Sequence, residues 1–302
     1  MTLGFIHSGQ EAVQQLINAL SLGSTYALLA LGLAMVFSIV GLVNFAHGEL
    51  VTVAGYTMYL EERHGLSFAV AVPSAIVAAA LAALLMERLA FRPLRGASFL
   101  TLLFSSFALS VIIQNLFAAT ISPRQKGVAI PNVFGEALHV GGYSIGWLQV
   151  ITTATCLVAL VVLTLFLRRT AQGLGMLAAS QDFQVTRLMG IPANRVIATA
   201  FAISGALAGV AALFVVARRG TVDPQMGFTP VLKAFIATII GGLGSLSGAV
   251  VGGFVLGGIE VVLDSTLPNG ALPFRDAFAL LLVIAILYRR PEGLLTRTAE
   301  IG

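Results

Sequence analysis

Apolar runs recur along most of this chain, and the places where they are interrupted are the informative ones. A helix that spans a bilayer needs about 20 mostly apolar residues. Clear spans of that kind are predicted at about 66–87, 97–120, 145–167, 196–217 and 271–288. Two regions are less regular. Residues 16–60 form one apolar stretch too long for a single helix, and NFAHGE (44–49) interrupts it. Residues 231–263 form a glycine-rich stretch broken at GGLGSLSG (241–248), with a first half too short to span comfortably. Counting each irregular region as two segments gives about nine membrane segments, and re-entrant halves lower the number of true crossings. The expectation is an all-α polytopic membrane helix bundle. It has about eight transmembrane helices, with broken or re-entrant segments near 44–49 and 241–248. No domain boundary, linker or internal repeat is evident, so residues 1–302 read as one transmembrane domain.

One stretch departs from this oily pattern. AASQDFQVTRLMGIPANRV (178–196) carries Asp182, Arg187 and Arg195 and is closed by Gly190 and Pro192. Residues 174–188 are predicted to form an amphipathic helix. Leu174, Leu177, Val185 and Leu188 lie on one face, Gln181 interrupts it, Asp182 lies opposite, and the Gly-x-Pro supplies a stop. The segment is too polar to cross a membrane and suited to lie along one. An ordinary loop helix and a docking surface for a soluble partner both fit it.

Composition agrees with the periodicity. Hydrophobic residues make up 58% of the chain and charged residues 10%, against roughly 45–50% and about 25% in soluble domains. Mean hydropathy is +0.96. The formal charge of +4 does not indicate nucleic acid. Arg supplies fifteen of the seventeen basic residues, most of them between apolar runs, with no basic stretch interleaved with aromatics. If the clear spans alternate, Arg88, Arg92, Arg95, Arg168, Arg169, Arg187, Arg195, Arg289, Arg290 and Arg297 share one side. Arg63, Arg124, Lys126, Arg218, Arg219 and Arg275 share the other. The excess places the first group, the polar segment and the C-terminus in the cytoplasm. The N-terminal MTLGFIHSGQEAVQQ has no basic n-region or small-residue cleavage site and is expected to be mature sequence. The lone Cys156 lies in an apolar run and is read as packing.

Catalytic and cofactor signatures are missing. There is no P-loop, no H-E-x-x-H and no nucleophile elbow, and His7, His47, His64 and His139 are scattered. Neither a metal nor a cofactor is expected, and an enzyme is a poor fit. The polar residues inside apolar surroundings carry more weight. Asn44, His47 and Glu49 fall within NFAHGE, and buried charge in a membrane usually faces a bundle interior or a watery path. A broken helix beside a translocation route and an interfacial turn explain them equally well. Lys233 is expected to snorkel to the interface, although pairing with Glu260 across the break at 241–248 is the alternative. Gly244, Gly248 and Gly252 recur at every fourth position, Gly253 pairs with Gly257, and Gly205 pairs with Gly209. All are expected to let helix backbones approach closely.

Several blocks resemble a known family. GSTYALLALGLAMVFSIVGLVNFAHGEL (23–50), ERLAFRPLRG (87–96), RLMGIPANRVIATAF (187–201) and GFTPVLKAFIATIIGGLGSLSGAVVGG (227–253) resemble bacterial ABC permeases for branched-chain amino acids. RRPEGLL (289–295) is similar to that family's usual ending. NFAHGE resembles the LivH-type permease rather than its LivM-type partner. The resemblance implies a multi-pass protein of the bacterial inner membrane, paired with a LivM-type second permease. Two cytoplasmic ATP-binding subunits and a periplasmic substrate-binding protein complete the implied assembly. It also implies that residues 171–195 hold a coupling segment seated in the ATPase, with Ala179, Asp182, Thr186, Arg187 and Gly190 as coupling residues. Gly190 matches the family's glycine and Asp182 an acidic position eight residues before it, while Thr186 stands where alanine is more usual.

The mechanism implied is alternating access driven by ATP in partner chains, with Asn44, His47, Glu49 and Lys233 as candidates for the substrate pathway. Two alternatives stand beside it. The same architecture serves urea, short amides and other amino or aromatic acids. An ion-coupled secondary transporter acting alone would use Glu49 and Glu260 but leaves the polar segment without a purpose.

Overall fold

The computed structural model describes residues 9–140, 143–291 and 293–295. His7, Arg297, most of the N-terminal stretch read for a signal and the final residues whose side was expected to be cytoplasmic lie outside them. The described chain is all-α apart from two short antiparallel pairs.

The first irregular region resolves into α1 (Gly9–Val40) and α2 (His47–Arg63). Gly41 ends α1 with φ +70° and donates its N–H to the Phe37 carbonyl, a left-handed cap that favours glycine. Next come α3 (Phe68–Met86), running on through a π-helical turn (Glu87–Phe91), and α4 (Phe99–Thr120). The following loop carries β1 (Lys126–Gly127), β2 (Ala137–Val140) and β3 (Tyr143–Gly146). Then α5 (Trp147–Arg169), α6 (Ala171–Ala179), α7 (Phe183–Leu188), α8 (Ala193–Arg219) and β4 (Thr221–Val222) follow. The second irregular region resolves into α9 (Phe228–Gly241) and α10 (Leu246–Thr266). The last helix is α11 (Arg275–Arg289).

Six of these helices are long and apolar enough to cross a membrane: Glu11–Val40, Phe68–Phe91, Phe99–Thr120, Trp147–Arg169, Ala193–Arg219 and Leu246–Thr266. The shorter α2, α9 and α11 stand beside them. The span expected at 271–288 is shorter than its hydropathy suggests, because a 3-10 turn containing Pro273 occupies Leu272–Phe274 and the α-helix begins only at Arg275. The central helix α1 is packed against α5, α8, α9 and α10. By contrast, α3, α4 and α5 turn Leu81, Leu85, Phe104, Ile112, Val158 and Val162 outward. Apolar surface on that scale would drive association in water, and it is what a lipid-facing wall requires. The protein is a multi-pass membrane protein.

Small residues set how closely the helices approach. A Cβ at Gly257 would lie 2.5 Å from Gly23 Cα, one at Gly253 2.5 Å from the Ala27 nitrogen, and one at Gly252 1.9 Å from the Ala237 oxygen. Gly205 and Gly209 of α8 meet α3 along its alanines, with Cβ positions 2.6 Å from Ala79 O and 2.8 Å from Ile76 Cα. Gly248 crosses Gly241 in the same way. Gly244 does not belong to this stripe. With φ +85° and no atom closer than 4.0 Å, it shapes the turn between α9 and α10.

Two membrane faces follow from the contacts. On one, the hairpin face, Gln149 at the start of α5 donates to Asn18, Ser144 N–H donates to Gln14, and Arg218 at the end of α8 donates to Ser21. The β1–β4 pair lies on that face too. On the opposite face Arg95 bonds both Glu87 and Asn194, joining the end of α3 to the start of α8. There the N–H groups of Leu294 and Leu295 cap the carbonyls of Ile240 and Gly241, satisfying the free end of α9.

Candidate functional site

Both breaks produce half-helices, and their starts meet. A Cβ on Gly227 would lie 1.9 Å from the Gly48 carbonyl oxygen, and one on Gly48 would lie 2.4 Å from the Gly227 oxygen. The N-termini of α2 and α9 therefore touch backbone to backbone inside the bundle. From that point α2 runs toward the hairpin face, where the Glu62 carboxylate accepts from Ala129 N–H. The positive ends of both helix dipoles converge at this crossing.

The polar side chains of NFAHGE cluster around it. Glu49, in the first turn of α2, is fully buried and accepts hydrogen bonds from Ser110 (2.8 Å), Gln114 (2.8 Å) and Thr52 (3.0 Å). No cation lies within 4 Å of it among the described residues. Three donors surround its carboxyl group in the first turn of α2. His47 is also buried. Its Nδ1 lies 3.2 Å from Ser204 Oγ on α8, and Gly32 leaves the room its ring occupies. Asn44 is buried, and its Oδ1 has no hydrogen-bond partner among the described residues. The break is plugged by α4, since Phe45 N–H donates to Ser106 and the Phe45 ring stacks on Phe107 at 4.3 Å. All three residues thus sit in the bundle interior rather than at an interfacial turn.

Lys233 belongs to a different cluster. Its ammonium lies 2.8 Å from Glu260, 3.3 Å from Asp276 and 3.2 Å from the Tyr26 hydroxyl, which itself donates to Glu260 at 2.8 Å. The expected snorkelling of Lys233 is therefore corrected to pairing across the break. Glu260 is only 2% exposed, so a lysine free in the interface would leave a buried carboxylate held only by the Tyr26 hydroxyl at 2.8 Å and Arg275 at 3.8 Å. Tyr26 and Asp276 had no distinguishing signal in the sequence.

On the opposite face the polar segment is two helices rather than the single amphipathic helix expected over 174–188. Asp182 breaks it. Its carboxylate accepts from the N–H groups of Gln184 and Val185, capping α7. Gly190, with φ +82°, ends the segment. Of the implied coupling residues, Ala179 and Thr186 are buried, while Asp182, Arg187 and Gly190 are exposed. The most exposed apolar side chains there are Leu188 (87%) and Met189 (77%). The apolar face expected from the sequence includes Leu188 but not Met189. The structure therefore does not bring the candidate residues together in one site. They fall into the NFAHGE core, the Lys233 cluster and the external segment. No group of three or more His, Cys, Asp or Glu that could hold a metal ion occurs among the described residues.

Comparison with known proteins extends this picture. The family described as "Branched-chain amino acid transport system / permease component" matches residues 15–287. The high-affinity branched-chain amino acid transport system permease protein BraD of Pseudomonas aeruginosa is 36% identical over 303 residues, covering 94% of this chain and 96% of the relative. LivH of Escherichia coli K12, with the same description, is 34% identical over 299 residues, with coverage of 94% and 96%. LivM of the same organism is 29% identical over 306 residues, covering 93% of this chain and 70% of the relative. No solved structure matches.

Proposed function

The chain belongs to the permease family of branched-chain amino acid transport systems, and from that premise we propose that it is the LivH-type subunit of a binding-protein-dependent ABC importer. The cargo is leucine, isoleucine or valine. The observation that carries this reading is similarity along nearly the whole chain to relatives named for that transport. ATP is hydrolysed by partner chains, because this sequence has no P-loop. The partners are a LivM-type permease, two ATP-binding subunits and a periplasmic binding protein.

Residues 1–302 form one transmembrane permease domain in the inner membrane, with the α6–α7 face and the C-terminus in the cytoplasm. Arginine bias supports this orientation. Residues 171–195 are the coupling segment. Leu188 and Met189 project from it as apolar knobs beside Arg187. Buried Ala179 and Thr186 fix the helices from behind, Asp182 starts α7, and Gly190 turns the chain into α8. Closure of the ATPase dimer pushes this segment and, through α8, the interior. Asn44, His47, Glu49 and Lys233 line the pathway that forms when the bundle rearranges.

A native pull-down in mild detergent tests the assembly. Wild type is expected to bring down a second permease and an ATP-binding subunit. Leu188→Asp/Met189→Asp, which leaves the membrane core untouched, is expected to retain the permease and lose at least tenfold of the ATPase. A chain that comes down alone in both cases contradicts the proposal.

A further inference from the structure

A cavity of about 350 Å³ opens between α1, α8, α9, α10 and α11 near the hairpin face. A second cavity, of about 380 Å³, shares Leu22, Arg218 and Asp264 with it. Both volumes lie within the roughly 300–1,000 Å³ of small-molecule sites. The walls carry charges of both signs, and their pairing is uneven. Lys233 is taken by Glu260 and Asp276. Arg275 is taken by Asp264, through two contacts of 3.0 and 2.8 Å, and by Asp276 at 3.2 Å. Arg219 lies 3.9 Å from Asp223.

Arg218 is the exception. It lines both cavities and has no carboxylate within 4 Å among the described residues. Its polar contact is the Ser21 hydroxyl, 3.2 Å away on α1. A basic residue in the last turn of a helix is ordinarily explained by the helix dipole and by snorkelling, and Arg219, paired near the loop, fits that description. Arg218, exposed at the same face, also reaches across to Ser21 on α1 beside a cavity whose acids already have partners. A guanidinium in that position matches a carboxylate in shape and charge and can bind it through two parallel hydrogen bonds. Leu22 and Val215 supply apolar wall next to it, and Asp264 faces the same space.

We propose that Arg218 forms a carboxylate-binding subsite of the permease itself, receiving an α-amino acid at the hairpin face. Its carboxylate sits on Arg218, and its apolar side chain lies along Leu22 and Val215. The assignment rests on the importer reading above and deepens it. The released cargo must carry a negative group, which urea and simple amides lack.

The test is uptake of radiolabelled L-leucine into ATP-loaded proteoliposomes containing the complete assembly, with saturating leucine-loaded binding protein. Stimulation of ATPase activity by that binding protein is measured in parallel. Arg218→Gln is expected to lower uptake at least tenfold while stimulation stays within twofold of wild type. Arg218→Lys, which keeps the charge, is expected to retain at least a third of wild-type uptake. R218Q uptake equal to wild type overturns the subsite. Loss of uptake together with loss of stimulation also overturns it, by assigning Arg218 to docking of the binding protein. Absence of leucine uptake by the wild-type assembly is a separate outcome, in which the importer reading itself fails and the subsite with it.

Discussion

Gly227→Ala is expected to abolish accumulation of folded protein, while Gly258→Ala leaves it unchanged or raises it. At position 227 a single methyl would sit 1.9 Å from the Gly48 oxygen and 2.5 Å from its carbonyl carbon. Both obstacles are backbone atoms in the first turn of α2, so no rotamer change relieves the clash. Overpacking against side chains typically costs about 1–3 kcal/mol. Here the crossing itself must open, which parts α2 from α9, so the loss exceeds that range. At Gly258 nothing lies within 4 Å of the added carbon, and alanine is the better helix former by up to about 1 kcal/mol. Monodisperse yield after detergent extraction, followed by thermal unfolding, measures the pair. Similar behaviour of the two variants would show that α2 and α9 do not cross at this point.

Glu49→Leu is expected to loosen α4 from the bundle, whereas Glu49→Gln is nearly tolerated. Leucine removes the acceptor for Ser110, Gln114 and Thr52 together and leaves the Ser110 and Thr52 hydroxyls buried without it. An orphaned buried group costs about 1–3 kcal/mol, partly offset here because Gln114 also donates to Ser110. The net loss is about 2–4 kcal/mol. It falls mainly on α4, which packs chiefly on α2 and on the π-helical turn. Glutamine retains one carbonyl acceptor and most of the packing. Hydrogen exchange over residues 99–120 reports the difference, because local opening follows local stability. A rise of at least tenfold in E49L, with α1 and α8 unchanged, is the expected pattern. Uniform exchange across all helices would place Glu49 in a global rather than a local role.

Much of this architecture was legible in the sequence, because the bilayer sets the length of a crossing and polar or glycine-rich interruptions stand out against it. NFAHGE and GGLGSLSG mark the ends of α1 and α9 within a few residues. The glycine spacing indicates where α10 meets α1 and α9 and where α8 meets α3. Contacts between residues distant in the chain were less legible. Lys233 and Glu260 are 27 residues apart, and whether a lysine pairs or snorkels depends on which helices surround it. Gly227 looks like any loop glycine until α2 is set against it. The split between α6 and α7 is hidden in the sequence because the 3.6-residue apolar pattern runs through Asp182, whose carboxylate favours capping a new helix over continuing the old one. Gly244 fits the four-residue spacing by position, but its positive φ assigns it to a turn.

The most direct test of the importer account is whether the purified assembly, reconstituted with its binding protein, concentrates L-leucine inside vesicles when ATP is supplied to the ATP-binding subunits. The expected result is accumulation that needs ATP and binding protein, survives collapse of ion gradients, and is competed by isoleucine and valine but not by urea. Leucine uptake that persists without ATP and follows an ion gradient, or transport competed by urea alone, would contradict the account.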